Sequence, residues 1–159
     1  MTEITPLFKK LNFKLQQQLL VVNVPKEFEP HLSAMSGLIK AKHEAKNIKN
    51  PIDFLLIFAQ KQEDLEQAKP LLSDNLAEDA LFWIAYPKGT SKKYKSSINR
   101  DSGWQVLGAL GYEPVRQVAI DEDWSALRFR KVKFIKTMKR NSAMLLSKEG
   151  KERLEKGKG

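Results

Sequence analysis

The chain has 159 residues, which fits one domain better than two. With 42% hydrophobic and 30% charged residues it has the composition of a folded globular protein, and folding at this size hides roughly 70% of an extended chain's surface. The lack of cysteine excludes disulfides, thiolate metal sites and a cysteine nucleophile.

No apolar run approaches the roughly 18 residues that a membrane span needs. The first residues lack the basic stretch followed by an apolar one that marks a signal peptide, so a cytoplasmic location is expected. The formal net charge of +9 is unevenly spread. Residues 128–159 hold 12 basic and 3 acidic residues, the whole +9, which leaves 16 of each sign over residues 1–127. The expected organisation is an α/β domain over residues 1–133 and a basic tail over residues 134–159. Such a tail suits an acidic partner, nucleic acid or protein, and equally serves solubility.

Taken in chain order, Thr5 caps a short helix that has Pro6 at its first position and continues through Leu7, Phe8 and Leu11. Leu19 to Val24 is a continuous β-prone apolar run stopped by Pro25, the pattern of a strand covered on both faces. A short helix follows over Glu29 to Met35, ended by Gly37. Leu38 to His43 alternates weakly, as a poor edge strand would. Ile52 to Ala59 and Ala80 to Tyr86 are the second and third buried strands. Between them Lys61 to Leu72 has helical spacing, interrupted at Pro70.

Lys88 to Arg100 is polar and aperiodic, and reads as a loop. Asp101 or Ser102 caps a helix through Trp104, Val106, Leu107 and Leu110, stopped by Gly111. Pro114 to Ile120 is a fourth strand, Asp121 to Trp124 a tight turn, and Ala126 to Lys133 its hairpin partner. Ser142 to Lys156 is a final helix candidate, weakened by Gly150. Strands alternating with helices imply a doubly wound, mostly parallel sheet of five to six strands in three layers, ending in an antiparallel hairpin.

That order resembles the class I methyltransferase fold with parts missing. The stretches Leu20 to Pro25, Phe54 to Phe58, Phe82 to Lys88, Ile98 to Asp101 and Val118 to Ser125 also look like those of a family of small bacterial domains of unknown function. The resemblance covers roughly residues 18 to 133. Its Tyr86-Pro87-Lys88 and Asp121-Glu122-Asp123-Trp124-Ser125 pieces are the most specific. It implies a Rossmann-like fold and no particular activity. A methyltransferase resemblance implies a glycine-rich turn after the first strand, where the backbone approaches S-adenosylmethionine closely. Here that turn is Asn23 to Phe28, and the first glycine is Gly37. This argues against S-adenosylmethionine as the ligand and leaves the cofactor undefined.

Ligands of open α/β sheets bind outside the carboxyl ends of the strands. The loops expected there gather Lys88, Arg100, Asp101, Asp121, Asp123, Trp124 and Ser125 as candidate ligand residues. An indole among charges of both signs can stack a ring and fix polar groups. The competing reading is structural, with the aspartates ordering the turn and Trp124 seating the hairpin on the core. The basic loop residues can meet phosphate, but Gly89-Thr90-Ser91-Lys92 is not a P-loop.

The two histidines, His31 and His43, have no partners at metal-ligand spacing, so no metal site is expected. No Gly-x-Ser-x-Gly elbow occurs. Arg130, Lys133, Lys136, Lys139 and Arg140 run through and beyond the last strand with Phe129, Phe134 and Met138 between them. They are candidates for nucleic-acid contact, or else charges that protect an edge strand from pairing. No complete catalytic constellation emerges. The reading leans toward a non-enzymatic or degenerate Rossmann-like binding domain, with a tail-borne nucleic-acid function and an enzyme on an anionic or nucleotide-like substrate as alternatives.

Overall fold

The computed structural model describes residues 3–43, 51–74, 76–98 and 104–135. The elements in chain order are α1 (Pro6–Lys10), β1 (Leu19–Val22), a 3-10 turn (Lys26–Phe28), α2 (Glu29–Met35), β2 (Ile52–Phe58), α3 (Gln62–Glu66), α4 (Lys69–Asp74), β3 (Leu76–Pro87), α5 (Gln105–Ala109), β4 (Tyr112–Ala119), β5 (Trp124–Lys131) and a second 3-10 turn (Val132–Phe134).

The sheet has five strands in the order β1-β2-β3-β5-β4. β1, β2 and β3 are parallel, and β5 runs antiparallel to both β3 and β4. This is the expected open, mostly parallel Rossmann-like sheet closed by an antiparallel hairpin.

The parallel strands are apolar on both faces, and each face carries its own core. On one face Val21, Phe54, Leu56, Trp83 and Ala126 pack under Phe8, Leu11 and Phe13 of the α1 region and under Phe28 and Met35. On the other, Leu20, Leu55, Ile57, Ile84, Leu127 and Phe129 pack under Leu65, Leu72, Trp104 and Leu107 of the helices α3 to α5. Three layers result. Thr5 caps α1 by accepting the Phe8 N–H at 3.3 Å, with Pro6 at the first helical position as its sequence predicts. The charge inside the second strand has a local purpose. Asp53 accepts the N–H groups of Gln17 and Gln18 at 2.8 and 2.7 Å, tying the lead-in of β1 to β2.

The weak alternation at Leu38 to His43 becomes a single parallel bridge. Lys42 takes the Val21 N–H on its carbonyl and donates its own N–H to Leu19, both at 2.8 Å. β1 therefore has β2 on one side and Lys42 on the other. The chain leaves β1 toward one side and re-enters the sheet on the other, which makes the carboxyl ends of β1 and β2 a topological switch point.

Two details differ from expectation. The fourth strand begins at Tyr112 rather than Pro114, because β4 is the sheet edge and its ladder slips between Pro114 and Arg116, where a missing N–H is tolerated. The last strand, expected at an edge, lies inside the sheet between β3 and β4. Its charges therefore do not guard an exposed edge. Ser142 to Lys156 lies outside the described residues.

Candidate functional site

At the switch point lies a cleft of about 740 Å³, within the range of about 300–1,000 Å³ common for small-molecule sites. It is lined from the end of β1 (Asn23, Pro25), the end of β2 and start of α3 (Phe58, Gln60, Lys61, Asp64), the loop after β3 (Tyr94, Lys95, Ser96, Ser97) and the start of β5 (Trp124).

Local structure explains why each wall stands where it does. Asn23 takes φ 59°, the left-handed conformation, and its side-chain amide donates to the Phe58 carbonyl at 3.3 Å. The turn after β1 is thereby fastened to the end of β2. Asp64 accepts the N–H groups of Gln60 and Lys61 at 2.9 and 3.2 Å and so caps the start of α3. The loop after β3 is stitched down along its length. Ser97 N–H and the Ser96 hydroxyl both donate to the Gln60 carbonyl, at 3.0 and 2.9 Å.

The rim is held by Glu27, in the 3-10 turn after β1. Its Oε1 accepts the Tyr94 hydroxyl at 2.5 Å and the Trp124 indole N–H at 3.1 Å, and Lys93 Nζ lies 3.5 Å from Oε2. Partial burial raises the pKa of this carboxyl. The Tyr94, backbone and Trp124 hydrogen bonds and the Lys93 charge outweigh it and bring the pKa down to about 2. Burial, then the hydrogen bond to Glu27, raises the Tyr94 phenol above its ordinary range. The rings of Tyr94 and Phe58 pack on Trp124 with centroids 4.8 and 5.1 Å away. One ionised carboxylate thus joins the turn after β1, the loop after β3 and the start of β5.

Of the sequence-predicted ligand residues, Trp124 lines the cleft. Lys88, Asp121 and Asp123 meet at the adjoining hairpin turn. Asp121 Oδ1 accepts the N–H groups of Asp123 and Trp124, each at 2.8 Å. Lys88 N–H donates to the Asp123 carbonyl, and Asp123 Oδ1 accepts the Ser91 hydroxyl, both at 2.8 Å. The Asp121 and Asp123 side chains and the Lys88 backbone order the turn. Ser125 is buried in β5 opposite Tyr86, and Arg100 and Asp101 lie outside the described residues.

Arg130 and Lys133 stand toward the far end of β5. Arg130 pairs with Asp79 through two contacts of 2.8 and 2.6 Å, and Lys133 lies 3.9 Å from Glu78. Lys136, Lys139 and Arg140 lie outside the described residues. Sequence reasoning missed Glu27 and Tyr94. The signal for Glu27 was its position just after the first strand, at the same sheet edge as the two loops that were considered. Among the described residues no group of three or more side chains is placed to hold a metal ion, and no helix is long and apolar enough to cross a membrane.

No family model matches the chain, and the search of curated proteins gives no match. Solved structures are similar to it. A SAM-dependent methyltransferase from Aquifex aeolicus aligns at 17% identity over 81% of this chain and 91% of its own, with a TM-score of 0.47. The N-methyltransferase NodS from Bradyrhizobium japonicum WM9 aligns at 14% identity over 72% of this chain and 73% of its own, TM-score 0.46. TrmK from M. capricolum, in complex with S-adenosyl-homocysteine, aligns at 7% identity over 94% and 77%, TM-score 0.47.

The sequence-based argument against S-adenosylmethionine does not hold. That argument rested on the missing glycine turn. Its physical weakness is Asn23, which takes the left-handed backbone without being glycine. The fold itself is an open, Rossmann-like α/β sheet closed by an antiparallel hairpin.

Proposed function

We propose that the chain is a small-ligand-binding domain whose cleft at the carboxyl edge takes an adenosyl- or nucleotide-type molecule, with S-adenosylmethionine the first to test. The observation that carries this reading is the position of the cleft at the switch point between β1 and β2, where open α/β sheets bind their ligands. Its lining suits such a molecule. Aromatic edges from Phe58, Tyr94 and Trp124 offer apolar contact to a ring. The Gln60 amide and the Ser97 hydroxyl offer polar contact, and Lys61 and Lys95 attract a carboxylate or phosphate. The reading is one of binding, with any group transfer resting on the ligand's own chemistry.

Isothermal titration of the full chain with S-adenosylmethionine, S-adenosyl-homocysteine and adenine nucleotides tests it. A saturable isotherm with one of these, with the negative heat-capacity change of apolar burial, is expected. Flat titrations with all of them contradict it.

A further inference from the structure

The interior position of β5 leaves its arginines without the edge-protecting role that an outer strand would give them. In the ladder Arg128 stands opposite Trp83 of β3 on one side and opposite Arg116 of β4 on the other. Arg130 follows two residues later on the same face. Three guanidinium groups thus share one stretch of the hairpin, and like charges directly across a ladder are destabilising. Asp79 serves Arg130 through the two short contacts above. Among the described residues neither Arg116 nor Arg128 is in a salt bridge. The Arg128 Nε is buried and, among the described residues, has no hydrogen-bond partner. A buried N–H left without a partner is destabilising, the more so when charged. Burial and the neighbouring Arg130 and Arg116 charges hold Arg128 below the usual range of an arginine, with Asp79 opposing.

An anion set against the exposed Arg116 and the solvent-facing part of Arg128 neutralises two facing charges. The charge of the chain beyond this point suggests which anion. Residues 128–159 carry 12 basic and 3 acidic residues, an excess of like charge in the sequence that a repeating polyanion matches better than a single phosphate does. We propose that the β4–β5 hairpin face is a binding surface for the phosphate backbone of a nucleic acid, with Arg116 and Arg128 as its contact residues.

Fluorescence anisotropy of the full chain with labelled single-stranded RNA and duplex DNA, at about 50 and about 200 mM salt, tests this. Binding that weakens steeply with salt is expected. Arg116→Gln, at an exposed position, should weaken it roughly tenfold and reduce the salt slope by about 0.9 for duplex DNA. Arg128→Gln removes the second charge and should weaken binding similarly; a melting curve checks that it folds, and Arg116→Gln carries the test if it does not. Substituting Lys136, Lys139 and Arg140 together by Gln should leave the effect of Arg116→Gln in place. The proposal is overturned by no binding at the lower salt, by unchanged affinity and slope in Arg116→Gln, or by Arg116-dependent binding of inorganic phosphate or anionic lipid vesicles without binding of either nucleic acid.

Discussion

The indole N–H of Trp124 donates to Glu27 Oε1 at 3.1 Å, across 97 positions of sequence. That bond, with the Tyr94 hydroxyl on the same oxygen, fixes the rim of the cleft to a carboxylate whose pKa is brought down to about 2. Glu27→Ala leaves both donors without their acceptor and should cost about 1–3 kcal/mol, a fall in melting temperature of roughly 3–8 °C. The emission of Trp124 should shift as the loop after β3 loosens. Thermal melts followed by fluorescence read both.

The same carboxylate sets a pH dependence. Its folded-state pKa lies below the ordinary carboxyl value of 4.5, so its contribution is fully present above that value and is lost as pH falls toward about 2. The stability difference between the wild-type chain and Glu27→Gln should shrink across that window and stay constant from pH about 5 to 7. Urea melts at a series of pH values measure it. A difference that grows toward low pH would show that the carboxylate is not held ionised by these bonds.

Asn23 holds the left-handed backbone at φ 59° between β1 and the cleft. Asn23→Val should cost about 2 kcal/mol or more, from backbone strain and the lost bond to the Phe58 carbonyl. Asn23→Gly keeps the conformation and should cost under about 1 kcal/mol. Chemical denaturation of the two variants compares them directly, and equal losses would contradict the conformational account.

Asp121 orders the hairpin turn and does not line the cleft. Asp121→Ala should therefore lower stability by about 1 kcal/mol and leave ligand affinity within about twofold. A large loss of affinity in a fully folded Asp121→Ala variant would mean that the turn itself touches the ligand.

The buried apolar runs at Leu19, Ile52 and Ala80 made the parallel sheet legible, because strands covered on both faces need no alternation. The cleft was half legible. Trp124 stands out as an indole at a turn after a strand, whereas Glu27 resembles any solvated carboxylate in a short polar segment. Its role comes from the parallel crossovers, which bring the ends of β1 and β3 to one edge. Glycine counting misled for a related reason, since a conformation that glycine favours is open to asparagine as well. The interior place of β5 was not legible either. Its charged alternation is what an edge strand shows, and only the crossover of β4 to the outside reveals otherwise.

The cleft at the ends of β1, β2 and β3 is proposed to bind a small adenosyl- or nucleotide-type ligand. The most direct measurement is the melting temperature of the full chain and of Ser97→Trp, with and without S-adenosylmethionine. Ser97 is exposed on the cleft wall, so a tryptophan there fills the space without entering the core. At about 100 times the dissociation constant the ligand should add about 2.7 kcal/mol, a rise of roughly 5–10 °C in the wild-type chain, and the rise should vanish in Ser97→Trp. No rise in the wild-type chain, or an equal rise in both, would contradict the account.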